Sequence, residues 1–124
     1  MNAPRKPRVS FDLTVLDTPD PMASATFYAE LLGWDVVRSE DDWVTVRGPG
    51  GPGLAFQLAP DLVAPTWPDP AVPQQLHIDF DVDDLDESEA FAVRLGATRV
   101  HGAEGSGFRA FLDPAGHPFC LCVA

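Results

Sequence analysis

The chemistry this sequence offers is concentrated in one short stretch, Gln75-Leu-His-Ile-Asp-Phe-Asp-Val-Asp-Asp84. Apolar Leu76, Ile78, Phe80 and Val82 alternate with polar His77, Asp79, Asp81 and Asp83. Side chains on a strand point to opposite faces with period two, so one face is expected to pack on a core. The other face presents an imidazole with carboxylates two residues away, about 6.5–7 Å at Cα. A carboxylate at Asp79 can orient the His77 ring or hold it charged, and the imidazole then serves as general acid or base. Such a pair suits enolisation, epimerisation or ring closure of a carbonyl compound without metal. The plainer reading is that His77 only hydrogen-bonds a ligand or water.

Other candidate side chains are spread along the chain. Trp67 lies in a proline-rich segment and either covers a ligand or covers an apolar patch. Arg109, between Phe108 and Ala110, either meets an anionic group or forms an ion pair with a residue such as Asp81. Cys120 is a nucleophile only if a neighbouring cation such as His77 favours its thiolate, and otherwise a small buried hydrophobe. Cys120 and Cys122 share one strand face; this is not a CxxC redox motif, and neighbours at this spacing rarely have disulfide geometry. Reduced thiols point to a cytoplasmic protein. Leu13, with Phe11 and Val15 on its face, makes an apolar wall that suits a hydrophobic or aromatic small molecule and equally a cleft collapsed into core. Trp34 and Trp43 read as strand packing, and His101 and His117 as loop or turn residues.

The elements that position these residues follow from punctuation and periodicity. A first strand is expected over Val9–Leu16. Asp20-Pro21 starts a helix with the stripe Ser24, Phe27, Tyr28 and Leu31, and Gly33 ends it. Trp34–Ser39, Trp43–Arg47 and Leu54–Ala59 read as strands, with a Gly/Pro turn between Gly48 and Gly53. Pro60–Pro73 reads as a stiff extended connector. After the His77 strand, Asp84 and Glu87 make a capping-box-like start to a second helix that ends at Gly96. Thr98–His101, Phe108–Leu112 and Phe119–Val123 complete the set. The chain is therefore βαβββ twice, an α+β fold. An offset of 64 relates Asp20 to Asp84 and Phe27 to Phe91, and one of 63 relates Gly33 to Gly96 and Leu58 to Leu121. Such a period in a short chain means duplication. Residues 1–8 read as a disordered lead-in and 9–124 as one domain: module one 9–59, connector 60–73, module two 74–124.

Bulk composition narrows the function classes. The 124 residues carry a formal net charge of −11 and are 45% hydrophobic, which suits one globular domain. That charge argues against nucleic acid or an anionic membrane as partner. No apolar run reaches the roughly 18 residues of a membrane span, and the N-terminus has no secretory h-region. Between His77 and Ala90 there are seven acidic residues and no Lys or Arg, a pattern that reads as a solvated helix start. High Ala, Pro, Asp and Arg usage suggests a GC-rich bacterial source.

Phe27-Tyr-Ala-Glu-Leu-Leu-Gly-Trp34, His77-Ile-Asp-Phe-Asp-Val-Asp-Asp84 and Phe111-Leu-Asp-Pro-Ala-Gly-His117 together resemble the vicinal oxygen chelate superfamily, the glyoxalase, bleomycin-resistance and extradiol-dioxygenase group. The resemblance covers nearly the whole chain after about Val9 and is nearest to small glyoxalase-like domains. It implies paired βαβββ modules forming a curled, cleft-bearing mixed sheet, and a homodimer, often with exchanged modules. It also implies four metal-ligand positions, which fall here on Leu13, Gln57, His77 and Cys120. Metal-dependent relatives use His, His or Gln, and Glu there. Leu13 cannot coordinate, Gln57 offers a neutral amide oxygen, His77 is a good ligand and Cys120 a soft one. A catalytic divalent site usually needs about three protein ligands and an open position. The expectation is no metal cofactor, with a divalent ion at Gln57, His77 and Cys120 as the minor alternative; thiolate with imidazole would select zinc or copper. Three functions follow: sequestering a hydrophobic compound at a degenerate metal site, a metal-independent isomerase or lyase using His77 and Asp79, or a metal-dependent lyase or dioxygenase with unusual ligands.

Overall fold

The computed structural model describes residues 5–51, 53–100 and 107–123. In the first half, β1 (Leu13–Thr18) precedes α1 (Pro21–Leu32), β2 (Asp35–Glu40), β3 (Trp43–Arg47) and β4 (Gly53–Leu58). The second half repeats this order with β5 (Ile78–Asp81), α2 (Leu85–Leu95), β6 (Thr98–Arg99), β7 (Phe108–Leu112) and β8 (Pro118–Cys122). The fold class is α+β, as the sequence indicates. Each half forms a four-stranded mixed sheet, ordered β1-β4-β3-β2 and β5-β8-β7-β6. The first and last strands of each half are parallel neighbours, and the other pairs are antiparallel. No helix among the described residues is long and apolar enough to cross a membrane.

The helix ends have local causes. The Asp20 carboxylate accepts from the Ala23 N–H at 3.1 Å, Pro21 occupies the first helical position, and Gly33 leaves α1 with φ +69°. Asp84 repeats the cap, accepting from the Glu87 N–H at 2.9 Å. Ion pairs from Glu89 to Arg99, and from Asp86 and Glu89 to Arg109, tie α2 to β6 and β7.

Three expectations change. The first strand begins at Leu13 rather than Val9, because its ladder partner begins at Gly53, directly opposite Leu13. Residues 9–12 have no strand to pair with, and Val9 and Phe11 stand 88% and 71% exposed. Phe11 is therefore not on the wall formed by Leu13 and Val15. The connector is a closed loop rather than an extended spacer. Thr66 and Val72 exchange hydrogen bonds, Thr66 N to Val72 O at 2.7 Å and Val72 N to Thr66 Oγ1 at 2.8 Å. This closure lets Trp67 pack on Val100, Ala110 and Cys120. The repeat offset of 64 holds at the caps, but the ladders place Ala55 opposite Val15 and Cys120 opposite Asp79. The counterpart of Cys120 is thus Ala55, and the offset at the last strands is 65, not 63, with two residues added between β6 and β7. His101, expected to end a strand, lies outside the described residues.

The core joins both halves through aromatic rings. Tyr28 of α1 stacks on Phe56 of its own half at 5.5 Å and meets Phe80 and Phe119 of the other at 6.2 and 6.3 Å. Its hydroxyl donates to Asp113 Oδ2 at 2.6 Å, a buried bond across the halves. Asp113 Oδ1 accepts from the Ala115 and His117 N–H groups, both at 2.9 Å. A hydrogen bond to a charged group contributes about 1.5–3 kcal/mol. Tyr28→Phe is expected to lower stability by about 2 kcal/mol, read as a fall in the urea midpoint with unchanged slope.

Burial, then the charge of Asp113 and the bond to it, raises the Tyr28 phenol well above 10.0. The folded state therefore holds this proton more tightly than the unfolded one. The resulting stability is fully present below about pH 10 and is lost as pH rises past it. Tyr28 is the chain's one tyrosine, so tyrosinate absorbance is expected to rise together with unfolding. A phenol that ionises near pH 10 in protein still folded by circular dichroism would contradict the burial.

Candidate functional site

Alternation on β5 separates two sets of side chains. Leu76, Ile78, Phe80 and Val82 pack against the core. His77, just before the strand, and Asp79 point away from it, with side chains 45% and 60% exposed. His77 Nε2 lies 3.3 Å from Asp79 Oδ1, so the expected pair is assembled. On the neighbouring β8, Phe119 and Leu121 face the core, while Cys120 and Cys122 share the face of His77.

These residues line a groove of about 420 Å³ with Gly107, Phe108 and Val123. An adjoining recess of about 230 Å³ is bounded by Trp67, His77, Phe108, Pro118 and Cys120. Trp67 is thus brought to His77 by the closed connector. Phe108 and Pro118 were not singled out in the sequence. Phe108 shares a strand face with Ala110, the partner of Cys120 in the β7–β8 ladder, a register the sequence alone does not state. Pro118 was hidden inside an apparent turn.

The groove differs electrostatically from a reactive-cysteine site. Cys120 is buried, and desolvation, then Asp79 and Cys122, raises its thiol to about 11. Burial, Asp79 and Asp81 likewise raise Cys122. Neither Lys nor Arg is among the lining residues. Arg109, for which an anionic ligand group and an ion pair were the alternatives, is on the other face of β7. Its ladder partner is core Leu121, and its guanidinium pairs with Asp86 at 2.9 Å and Glu89 at 3.4 Å, not with Asp81. Both cysteines are free.

The first sheet supplies no matching cluster. Leu13 faces Gly53, and Gln57 is exposed on β4 between Asp17 and Trp43, outside the lining of the His77 groove. Trp43 lies on the outer face under Arg38, 5.6 Å from its ring centre, while Trp34 packs on the core. The two-module donor set therefore fits a hard cation poorly: one neutral amide from the first half and no glutamate. The second half does better alone. His77, Asp79 and Cys120 offer donor atoms within 4.8 Å of one another, a nitrogen, an oxygen and a sulfur that suit a thiophilic ion. A separate cavity of about 370 Å³ lies between β1 and the connector, lined by Val15, Leu62, Val63, Val72 and Leu76 among others. His117 borders it and its Nε2 is 2.6 Å from the Asp17 carbonyl oxygen, a role tying the turn to β1.

Paired βαβββ halves, each a mixed sheet with a helix on the inner face, define a duplicated α+β protein carrying a groove on one outer sheet face. The chain belongs to the glyoxalase-like domain family, whose match spans residues 13–122. A glyoxalase/bleomycin resistance protein/dioxygenase family enzyme from Burkholderia phytofirmans PsJN superimposes with TM-score 0.69 at 20% identity, covering 90% of this chain and 96% of that one. A glyoxalase-related enzyme from Fulvimarina pelagi gives 0.68 at 22% identity, covering 93% and 88%. A glyoxalase/dioxygenase from Nostoc punctiforme gives 0.67 at 21%, covering 99% and 97%. At these identities the likeness establishes the fold. No curated protein matches the sequence.

The raised Cys120 thiol yields a direct expectation. In a Cys122→Ser variant, alkylation by iodoacetamide is slow at pH 8, and its rate climbs toward a midpoint well above the ordinary thiol value, since burial and Asp79 still act on Cys120. A midpoint at or below the ordinary thiol value of about 8.5 would show that a cation activates this sulfur.

Proposed function

We propose that the groove beside His77 binds a planar, uncharged small molecule, held by apolar walls and oriented by His77 and Asp79. The observation that carries this reading is the placement of Trp67, Phe108 and Pro118 around the exposed His77–Asp79 pair. Ligand sites are mostly apolar with a few placed polar groups, and this groove has that make-up. Its carboxylate and the absence of Lys or Arg from its lining disfavour an anionic ligand. In this reading the metal site implied by the family has lost its first-module half, and the protein sequesters its ligand. Free thiols fit a reducing, cytoplasmic setting. A homodimer belongs to the same reading, and exposed Val9, Phe11, Val36 and Val37 are apolar surface available for it.

The 3.3 Å contact between His77 and Asp79 supports a second reading, a metal-independent isomerase or lyase. There His77 takes a proton from the carbon beside a carbonyl and returns it to a neighbouring atom, while Asp79 stabilises the imidazolium.

Naphthol and naphthoate, matched in shape and different in charge, test the first reading by tryptophan fluorescence. Naphthol is expected to bind more tightly. Trp67→Ala and Phe108→Ala should each weaken it about 10- to 100-fold, the equivalent of burying an aromatic side chain. Arg109→Ala should leave it unchanged. Tighter binding of naphthoate would overturn the charge argument. His77→Ala tests the second reading: under acid–base catalysis turnover is lost while binding is kept, whereas under sequestration the variant loses one orienting contact and keeps most of the affinity that the apolar walls supply.

A further inference from the structure

We propose that His77, Asp79 and Cys120 form a site for a thiophilic divalent cation of the zinc class, built by the second module alone. The inference uses the groove described above but requires no small molecule in it.

The donors come from adjacent parallel strands in fixed register. Asp79 and Cys120 are direct ladder partners, and His77 precedes Asp79 by two residues on the same face. Their ligand atoms already lie within 4.8 Å of one another. Tetrahedral zinc, with bonds of about 2.0–2.3 Å, holds its donors roughly 3.5 Å apart. Closing that gap takes about an ångström of side-chain rotation, and the His77 and Asp79 side chains, 45% and 60% exposed, have solvent to turn into.

The charge balance favours a cation. Asp79 faces the Cys120 and Cys122 thiols, and neither Lys nor Arg is among the described residues lining the groove. A divalent ion replaces the thiol proton of Cys120, which passes to solvent. Asp79 and the new thiolate then balance its two charges. Sulfur and imidazole exclude magnesium and calcium, which prefer oxygen donors throughout. Phe108, Pro118 and Trp67 bound the recess beside these donors, and its described lining adds no further donor side chain at that apolar wall.

Cobalt(II), alone and with chelator-treated full-length protein, is the probe. The expected result is a near-ultraviolet thiolate-to-cobalt charge-transfer band that saturates at one equivalent. Zinc abolishes it and magnesium does not. Cys120→Ser removes the band. Because Cys120 is buried and its replacement can disturb folding, exposed His77 gives the second variant. His77→Ala should keep the wild-type melting curve and lose more than the roughly tenfold affinity that removal of an outer partner costs. Gln57→Ala should bind as wild type. Absence of the band, its persistence in Cys120→Ser, or its loss in Gln57→Ala would each overturn the proposal. Naphthol binding is read separately, so failure of either reading leaves the other standing.

Discussion

The buried bond between Tyr28 and Asp113 is the constraint on which the rest of the molecule depends. Asp113 is 5% exposed, and a carboxylate taken out of water costs several kcal/mol unless its lone pairs are satisfied. The turn Asp113-Pro-Ala-Gly-His117 brings two backbone N–H groups to one oxygen, and Tyr28 supplies the donor for the other. That donor belongs to the first helix, whereas the turn opens the last strand. One interaction therefore sets β8 relative to α1. It also holds the Tyr28 ring between Phe56 and Phe119, so the polar bond and the aromatic packing require the same placement. With Phe119 and Leu121 held inward, Cys120 and Cys122 can only face outward, and the groove inherits its two sulfurs from a bond on the opposite face of the sheet.

Duplication gave two sheets of one topology and unlike outer faces. On the second, His77, Asp79 and Cys120 occupy neighbouring positions; the equivalent places on the first hold Leu13, Val15 and Ala55. Apolar and small residues there cannot bind an ion or move a proton. The first half contributes instead the tyrosine that fixes the second half's geometry. The connector completes the division: its loop, closed between Thr66 and Val72, lays Trp67 over the second sheet and leaves the first sheet's outer face uncovered by that ring.

Most of the fold was legible because its signals are local. Asp20-Pro21, Asp84 with Glu87, and the glycines at 33 and 96 state the helix limits through their own hydrogen bonds and dihedral angles. The alternation around His77 likewise gave the inward facing of Leu76, Ile78, Phe80 and Val82 and the outward facing of His77 and Asp79. Register was not legible, because it depends on a partner strand. The alternation that includes Phe11 is a strand pattern, yet β4 starts too late to pair with it. The two residues gained between β6 and β7 shift the cysteine's counterpart from Gln57 to Ala55 without changing which face it occupies, so periodicity carried no warning. Arg109 shows a similar limit: its flanking apolar residues gave no indication that Asp86 and Glu89, one helical turn apart, would meet it from α2.

The position of Arg109 also decides what the groove can accept. Had its side chain pointed with Phe108, a cation would have stood near Asp79, and an anionic ligand would have been the natural occupant. Paired with the helix on the inner side, it leaves the groove with a carboxylate, two protonated thiols and an imidazole. An acidic chain adds to that field rather than opposing it. A carboxylate or phosphate entering here would lose hydration and, among the described lining residues, gain His77 as its one basic partner. A neutral aromatic ring gains contact with Phe108 and Trp67 without that loss, and a cation gains Asp79 and the sulfurs. In the proposed readings a neutral molecule would use the apolar wall of the groove and a metal ion its polar floor.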